Sequence, residues 1–213
     1  MQDFVHLHVH TQYSILDGQA SIPRLVDKAI ADGMKGIAVT DHGDMFGIKE
    51  FFNYVNKKNG KTNGEIKDLK KKIAGLEKGK IECENPEEEL IACKEQLEAA
   101  KKKLFKPIFG CEMYVARRGD KGLREIKQDQ SGWHLIVLAK NEIGYKNLVK
   151  LVSRSWVDGY YMRPRTDHTD LAKYHEGLII ASACLGGEIP KKIMSGDIAA
   201  AEEAVFLTKY ANH

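Results

Sequence analysis

The 213-residue sequence predicts a single-domain α/β fold. Short apolar segments typical of strands alternate with segments of helical periodicity along most of the chain, and this alternation is typical of an α/β protein with a parallel sheet. Hydrophobic residues make up 43% of the composition, which is enough to build one core in a chain of this length.

The first four predicted elements alternate between strand and helix. Residues 4–10, FVHLHVH, are predicted as a strand. The segment SIPRLVDKAIADG is predicted as a helix, because Ser21 is a suitable cap, Pro23 suits the first turn and Gly33 suits the end. A buried strand is predicted in KGIAVTDHG, and helical periodicity follows in DMFGIKEFFNYVNK.

The second half of the chain continues the alternation. Two apolar segments, KPIFGCEMYVA and GWHLIVLAK, are predicted as strands. A helix is then predicted in EIGYKNLVKLVSRSW, a strand in GLIIASA and a last helix in GDIAAAEEAVFLTKYA.

Residues 57–106 interrupt this alternation with two segments of heptad pattern. Asn85 is a good helix cap and Pro86 suits a first helical position, so the second segment has a clear start. We predict an antiparallel helical hairpin inserted into a loop, with its turn near residues 79–85. A solvated insertion is the simpler interpretation, and a surface that grips a partner is the alternative. The apolar seam positions are Ile66, Leu69, Ile73, Leu76, Leu90, Cys93, Leu97, Ala100 and Leu104.

The basic excess of the chain belongs to this insertion. Residues 57–106 hold 14 Lys and 10 Asp or Glu, which leaves 19 basic and 20 acidic residues elsewhere. The net charge of +3 is therefore poor evidence that the main body binds nucleic acid. There is no run of eighteen apolar residues and no signal-peptide pattern, so we expect a cytoplasmic protein without membrane contact.

Four cysteines are scattered along the sequence without CxxC spacing. In a protein without a secretory signal, such cysteines are expected to be free thiols or isolated metal ligands and not disulfides. They are Cys83, Cys93, Cys111 and Cys184.

Histidine, acidic and cysteine side chains recur near the ends of the predicted strands. His6, His8 and His10 alternate with apolar residues, so all three should share one face of the first strand. Metal ligands in an α/β barrel are expected at the C-terminal ends of strands. Five predicted strands each carry a His, Glu or Cys near such a position, and core packing does not readily explain that recurrence. The alternative is a polar cluster without metal. The residues near later strand ends are Asp41, His42, Glu112, His134, Cys184 and Glu188.

The types of these side chains indicate a chemistry. Imidazole and thiolate favour zinc, and imidazole with carboxylate also admits manganese or iron. Seven or more ligands exceed what one ion needs, so two or three ions are expected. Closely spaced metals hydrolyse phosphate esters, which predicts a metal-dependent phosphoesterase or nuclease. The sequence has no P-loop, GxGxxG or GxSxG motif, so sites of those types are not indicated.

Other histidines are weaker candidates for the site. Asp167 and His168 repeat a TDH string, but Thr166 or Asp167 is better explained as a helix cap. We expect His175 and His213 to be ordinary surface residues.

The string GYYMRPR combines aromatic residues with Arg163 and Arg165. Such a segment could contact a phosphate backbone. A surface loop anchored by its tyrosines is an equally good interpretation.

The motifs HLHVHT, VTDHG, GCEMY, WHL and ASACLGGE, in this order, resemble the polymerase and histidinol phosphatase (PHP) family. Longer strings narrow the resemblance. FVHLHVHTQYSILDG, TDHGDMFGIKEFF, NEIGYKNLVKLVSRS and EGLIIASACLGGEIP are similar to the PHP domains at the N-termini of bacterial DNA polymerase III alpha subunits. The resemblance covers nearly the whole chain except the heptad insertion.

This resemblance implies a distorted seven-stranded βα barrel with a trinuclear metal site. The ion at His8 and His10 would be shared with Glu112, which would bridge to the ion of His134 and Cys184. Asp17 and His42 would hold a third ion, although many relatives have His at the Asp17 position.

The resemblance implies supporting roles for two residues that lie close in sequence to the expected ligands. His6 would lie one layer deeper than the HxH pair, as a supporting or core residue. Asp41 would orient the ligands and would not itself bind metal.

One departure from the family concerns the end of the barrel. The family's last motif, a strand with an Asp and a His, is absent, and removing the insertion leaves about 165 residues against the ~250 of a full eightfold barrel. We therefore expect a barrel truncated before its last strands and a piece of a larger polymerase.

The resemblance implies a domain of a replicative DNA polymerase with metal-dependent 3′→5′ exonuclease activity. Its expected partners are DNA, contacted through the whole polymerase, the rest of the polymerase chain and other replicase subunits. The alternatives are a catalytically silent module that stabilises the polymerase and docks a partner, and a stand-alone phosphoesterase similar to histidinol phosphatase.

Overall fold

The computed structural model describes residues 4–81 and 84–209, which form a mixed α/β fold around one five-stranded sheet. The strands are β1 Gly36–Val39, β2 Lys106–Ala116, β3 Gly132–Ala139, β4 Arg165–Thr166 and β5 Leu178–Ser182. The helices are α1 Ile22–Ala31, α2 Ile48–Lys58, α3 Gly60–Glu77, α4 Pro86–Lys102, α5 Glu142–Val157, α6 His168–Lys173, α7 Glu188–Met194 and α8 Ile198–Lys209.

The long strand β2 organises the sheet, whose order is β1-β2-β3-β5 with β4 also paired to β2. Strands β1 and β4 run parallel to β2, whereas β3 runs antiparallel to both β2 and β5. The expectation of a parallel sheet was therefore wrong. The segment 117–131 joins β2 to β3 with a single 3₁₀ turn and no crossover helix, so the chain returns in the opposite direction. The seven-stranded barrel stays a prediction.

The segment 4–10 is irregular in the structure, so its prediction as a strand was wrong. It lies against β1 through two backbone hydrogen bonds, Ala38 N to His6 O and Thr40 N to Val9 O, each 2.9 Å long. A step of two residues, from Ala38 to Thr40 just after β1, thus faces a step of three residues in the segment, from His6 to Val9, which breaks the alternation of side chains. His6 is consequently exposed and does not form the deeper layer that was expected.

Two larger apolar clusters lie on one face of this sheet, and a smaller third cluster, Ala38, Ile136 and Leu138, lies on the other face. Helices α1 and α2 pack their apolar stripes against β1, and α5 packs against β2, β3 and β5. The stripe of α1 follows the predicted helical spacing through Ile22, Val26 and Ala29. The residue before α1, Ser21, makes no side-chain cap bond, and Gly33 ends the helix with a positive φ of 77°.

The predicted insertion contains α3 and α4, which pack against each other. All nine predicted seam positions are buried or half-buried, and the ion pairs Lys72–Glu89 and Lys94–Glu77 join the two helices. Helix α3 begins directly after α2, and β2 begins at Lys106. The antiparallel arrangement and the independence of this insertion stay predictions.

A side-chain clamp closes the base of the insertion. The Asn59 side-chain amide donates to the Phe105 carbonyl at 2.8 Å, and its oxygen accepts from the Phe105 backbone N–H at 3.0 Å. Phe105 is itself buried in the core cluster of α1 and α2. The two ends of the insertion therefore lie side by side.

The described cysteines Cys93 and Cys111 are buried free thiols and Cys184 is an exposed one, whereas Cys83 lies outside the described residues. Across the parts of the chain that the structure covers, each helix is too short or too polar to span a membrane.

We expect Asn59→Ala to lower the free energy of unfolding by about 1–3 kcal/mol, because it leaves two backbone groups of a buried residue without partners. The control is Asn56→Ala, an exposed position on the same helix. Urea unfolding of both variants measures the difference. Equal stability of the two variants would show that the clamp contributes nothing.

We expect that replacing residues 60–103 by a short Gly/Ser loop leaves the melting temperature of the remaining fold nearly unchanged. Asn59 and Phe105 already lie side by side, so a short connection can join them without strain. Thermal unfolding followed by circular dichroism tests this. A large drop in melting temperature would instead show that α3 and α4 belong to the core.

Candidate metal centre

The buried carboxylate of Glu112 is the centre of the candidate site. Three imidazole nitrogens lie near its Oε2 atom: His10 Nε2 at 2.8 Å, His8 Nε2 at 3.0 Å and His42 Nδ1 at 3.2 Å. The Nδ1 atom of His134 contacts the other oxygen, Oε1. Four histidines from three separate segments of the chain therefore converge on one carboxylate.

The sheet explains how these residues meet. Glu112 lies in the middle of β2, and His42, directly after the parallel strand β1, forms a bridge beside it. Because β3 is antiparallel, His134 near its start lies opposite Tyr114 of β2 and faces the same place. The expectation that every ligand follows the C-terminal end of a strand was therefore wrong for Glu112 and His134.

Two further candidates lie at the edges of this cluster. The sulfur of Cys184, in the loop after β5, is 3.8 Å from His134 Nδ1, and Asp17 Oδ2 is 2.9 Å from His42 Nε2. Gly186 packs on the His134 ring, where a Cβ would be only 3.2 Å from the ring. The seven residues proposed from sequence thus lie in one cluster. Two sets of donor atoms lie within 4.8 Å of one another: His8, His10, Glu112, and Glu112, His134, Cys184.

The polar atoms of the cluster are incompletely satisfied by hydrogen bonds. Among the described residues, His42 Nδ1 and Glu112 Oε1 are buried without a hydrogen-bond partner, although an imidazole or carboxylate atom lies close to each. The Nε2 atoms of His8 and His10 also face each other at 3.0 Å. A neutral imidazole has one N–H and one lone pair, so hydrogen bonds cannot saturate this arrangement. The donor set fits divalent cations.

The electrostatics keep the carboxylates ionised. Burial raises the pKa of Glu112, but the close imidazoles of His10, His134 and His8 outweigh burial and hold that pKa far below its ordinary value. A hydrogen bond to His42 likewise lowers the pKa of Asp17. Burial lowers the pKa of His10, but the bond to Glu112 and its charge leave the net pKa raised. Both carboxylates are therefore in the form that binds metal.

A buried network behind the cluster was only partly foreseen from sequence. The Asp41 carboxylate accepts from the Thr11 N–H at 2.6 Å, the Thr11 hydroxyl at 2.8 Å and the Ser14 hydroxyl at 2.7 Å. Ser14 Oγ also lies 3.1 Å from His10 Nδ1 and accepts from the His42 N–H at 3.2 Å. These contacts support the orienting role predicted for Asp41. Thr11 and Ser14 were missed, and their hydroxyls just after the HxH pair were the available signal.

Other residues considered from sequence lie away from the cluster. Glu188 pairs with His168 at 3.1 Å and with Lys192 at 2.7 Å, and it belongs to neither set of donor atoms that includes Glu112. The residue before α6, Asp167, accepts from the Asp170 N–H at 2.8 Å, which confirms its role as a cap. His175 contacts the Ala172 carbonyl, and His213 lies outside the described residues.

The two arginines of GYYMRPR differ in environment. Arg165 is buried and donates to the carbonyls of Gly159 and Lys121, so a phosphate contact by Arg165 was the wrong interpretation. Arg163 is exposed, with its guanidinium 5.7 Å from the centre of the Tyr114 ring.

A cleft of about 580 Å³ opens beside the cluster, and we call it the metal-side cleft. Asp17, His42 and His134 reach its surface. A groove of about 600 Å³ around Phe52 and Phe109 contains none of the seven candidate ligands. The metal-side cleft therefore gives solvent access to three of the seven candidate ligands.

We expect Ser14→Ala to weaken zinc binding by about tenfold, because residues that orient ligands typically contribute 10–100-fold to metal affinity. The variant removes the hydroxyl that joins Asp41 to His10 and His42. Ser21→Ala, whose side chain makes no cap bond, is the matched control. Competition with a chromophoric chelator measures the affinity. Equal zinc affinity in the two variants would rule out an orienting role for Ser14.

Comparison with known proteins finds a family and several relatives of this chain. The model of the PHP domain family matches residues 6–211. DNA polymerase III subunit alpha of Borreliella burgdorferi is 41% identical over 195 residues, which cover 90% of this chain and 13% of that protein. The subunits from Treponema pallidum and Aquifex aeolicus are 36% and 32% identical, over 94% and 96% of this chain. The chain thus spans a small part of the length of these relatives.

Proposed function

The chain belongs to the PHP domain family, and we propose that it is the metal-binding N-terminal domain of a bacterial DNA polymerase III alpha subunit. In that role it removes nucleotides from the 3′ end of a DNA strand by phosphodiester hydrolysis. Its partners are DNA, the remainder of the polymerase chain and other replicase subunits. The protein works in the cytoplasm, where replication takes place in bacteria.

The observation that carries this proposal is the convergence of four imidazoles on one buried carboxylate, of which the oxygen Oε1 has no hydrogen-bond partner among the described residues. Zinc suits the imidazole and thiolate ligands best, and manganese or iron also suits the imidazole and carboxylate ligands. Two or three such ions would activate a water and neutralise charge on the scissile phosphate. The residues that would hold them are His8, His10, Asp17, His42, Glu112, His134 and Cys184.

The side chains around the ions have separate tasks. Glu112 stays ionised at neutral pH and can bridge two ions, because the imidazoles hold its pKa low. The Asp41 network fixes the positions of His10 and His42 through Ser14. Burial raises the pKa of Tyr114 to about 12, so its phenol keeps its proton beside the metal-side cleft. A protonated phenol can donate a hydrogen bond to a phosphate oxygen.

We expect His134→Ala in the intact protein to lower metal content and to reduce 3′→5′ hydrolysis of single-stranded DNA by on the order of a hundredfold or more, since even orienting residues contribute 10–100-fold. DNA polymerisation should be retained. His175→Ala is the matched control, because His175 belongs to neither set of converging donor atoms and its side chain bonds to the Ala172 carbonyl. Metal per chain is measured by mass spectrometry, and hydrolysis is measured with a 5′-labelled strand.

Hydrolysis that persists in His134→Ala protein, or after chelation, would contradict the proposal. A wild-type protein that retains its metals but cleaves no DNA would show that the centre is structural and that the domain stabilises the polymerase.

A further inference from the structure

One wall of the metal-side cleft is formed by three exposed aromatic side chains, Phe46, Trp156 and Tyr160, which we call the aromatic wall. The Trp156 and Tyr160 rings stack with centres 5.4 Å apart and planes 15° apart. Trp156 Nε1–H donates to the Gly43 carbonyl at 2.8 Å, which fixes the indole beside His42. Rigid, exposed aromatic faces at a site are typical of surfaces that a ligand covers.

A second cavity of about 730 Å³ continues from the cleft, and we call it the basic groove. It shares Ser131, Met162 and Arg163 with the cleft and extends to Arg117 and Lys127. Among the described residues, none that lines the groove is acidic.

The three cations of the basic groove are available for a ligand. Within residues 4–81 and 84–209, Arg117, Lys127 and Arg163 make no ion pair. Nearby cations differ, since Arg118 pairs with Glu125 and Asp129. All three cations are exposed, and the guanidinium groups of Arg117 and Arg163 lie 4.9 Å and 5.7 Å from the centres of the Trp133 and Tyr114 rings, and no carboxylate of the described residues neutralises them.

The groove is joined to the metal centre through one ring. The Tyr114 ring lies 5.7 Å from the Arg163 guanidinium, 6.1 Å from the His42 ring and 5.2 Å from the His134 ring. A phosphate held by Arg163 would therefore lie next to the candidate ligands. The main body of the chain is close to neutral outside the insertion, so this positive strip arises from local placement and not from a general excess of charge.

We infer that the metal-side cleft and the basic groove form one binding track for the 3′ end of a single nucleic-acid strand. The terminal base lies against the aromatic wall, and the preceding phosphates lie on Arg163, Arg117 and Lys127. The inference rests on the proposed function, because the direction of the strand follows from hydrolysis at the 3′ end.

The aromatic wall and the basic groove together favour a single nucleic-acid strand over a duplex or a small phosphate ester. Aromatic side chains bind bases by stacking, and this requires bases that are not already paired and stacked in a duplex. A small phosphate monoester would use the metal centre but would leave the wall and the groove uncovered. A positive groove beside a stacking surface is the combination that binds single strands without reading their sequence.

Photo-crosslinking tests the track in the intact protein. The probe is a ten-nucleotide thymidine strand with 5-iododeoxyuridine at its 3′ terminus, used with EDTA so that the strand is not cleaved. Circular dichroism checks that the fold is retained. We expect adducts, mapped by mass spectrometry, on residues of the aromatic wall, and at least severalfold fewer adducts after Phe46→Ala combined with Tyr160→Ala.

A charge variant tests the groove with the same probe. Arg117→Ala, Lys127→Ala and Arg163→Ala together should lower the yield of wall adducts and reduce the slope of log affinity against log salt by about 2, since each phosphate contact on a single strand contributes about 0.7. The matched control changes three exposed cations elsewhere, Arg24, Lys49 and Lys140, to Ala. It should leave both quantities unchanged.

The outcomes separate this inference from the proposed function. Adducts that map away from the wall, or an equal response of the two triple variants, would overturn the track even if metal-dependent hydrolysis were found. Wall adducts that depend on the groove, in a protein that hydrolyses no DNA, would support the track and overturn the exonuclease activity.

Discussion

The charge on one buried carboxylate constrains most of this structure. Removing an ionised group from water is strongly unfavourable unless opposite charge or hydrogen bonds compensate it, and Glu112 is almost completely buried in the middle of β2. The compensation comes from His8, His10, His42 and His134, which belong to three separate segments of the chain. Those segments must meet at one point of the sheet for the fold to hold this charge.

The mixed strand directions bring the histidines to Glu112. β1 runs parallel to β2 and delivers His42 beside Glu112, whereas the antiparallel strand β3 delivers His134 from its start. An antiparallel neighbour reverses the usual rule for α/β proteins, because its N-terminal end lies beside the C-terminal end of β2. The hydroxyls of Thr11 and Ser14 then hold Asp41 behind the cluster, so the irregular N-terminal segment is fixed without a strand ladder.

The charge on the protein surface is distributed unevenly between the insertion and the surroundings of the metal centre. The insertion of α3 and α4 begins and ends at the Asn59–Phe105 clamp, and the ion pairs Lys72–Glu89 and Lys94–Glu77 join its two helices to each other. The cleft with its aromatic wall and the groove with its unpaired cations adjoin the metal centre. A near-neutral average charge therefore conceals a local positive strip that composition cannot reveal.

Local patterns in the sequence account for the α/β class, the main helices, a cap at Thr166 or Asp167 and the histidine, acidic and cysteine candidates near Glu112, whereas Asp17 came only from the family resemblance. Periodicity, capping chemistry and rare residue types are visible in short windows. The direction of β3, the exposure of His6, the pairing of Glu188 with His168 and the burial of Arg165 beside an exposed Arg163 emerge only in the folded chain. Each of these depends on contacts between distant segments, as in the 104-residue separation of His8 and Glu112, and no local pattern encodes which distant group lies opposite.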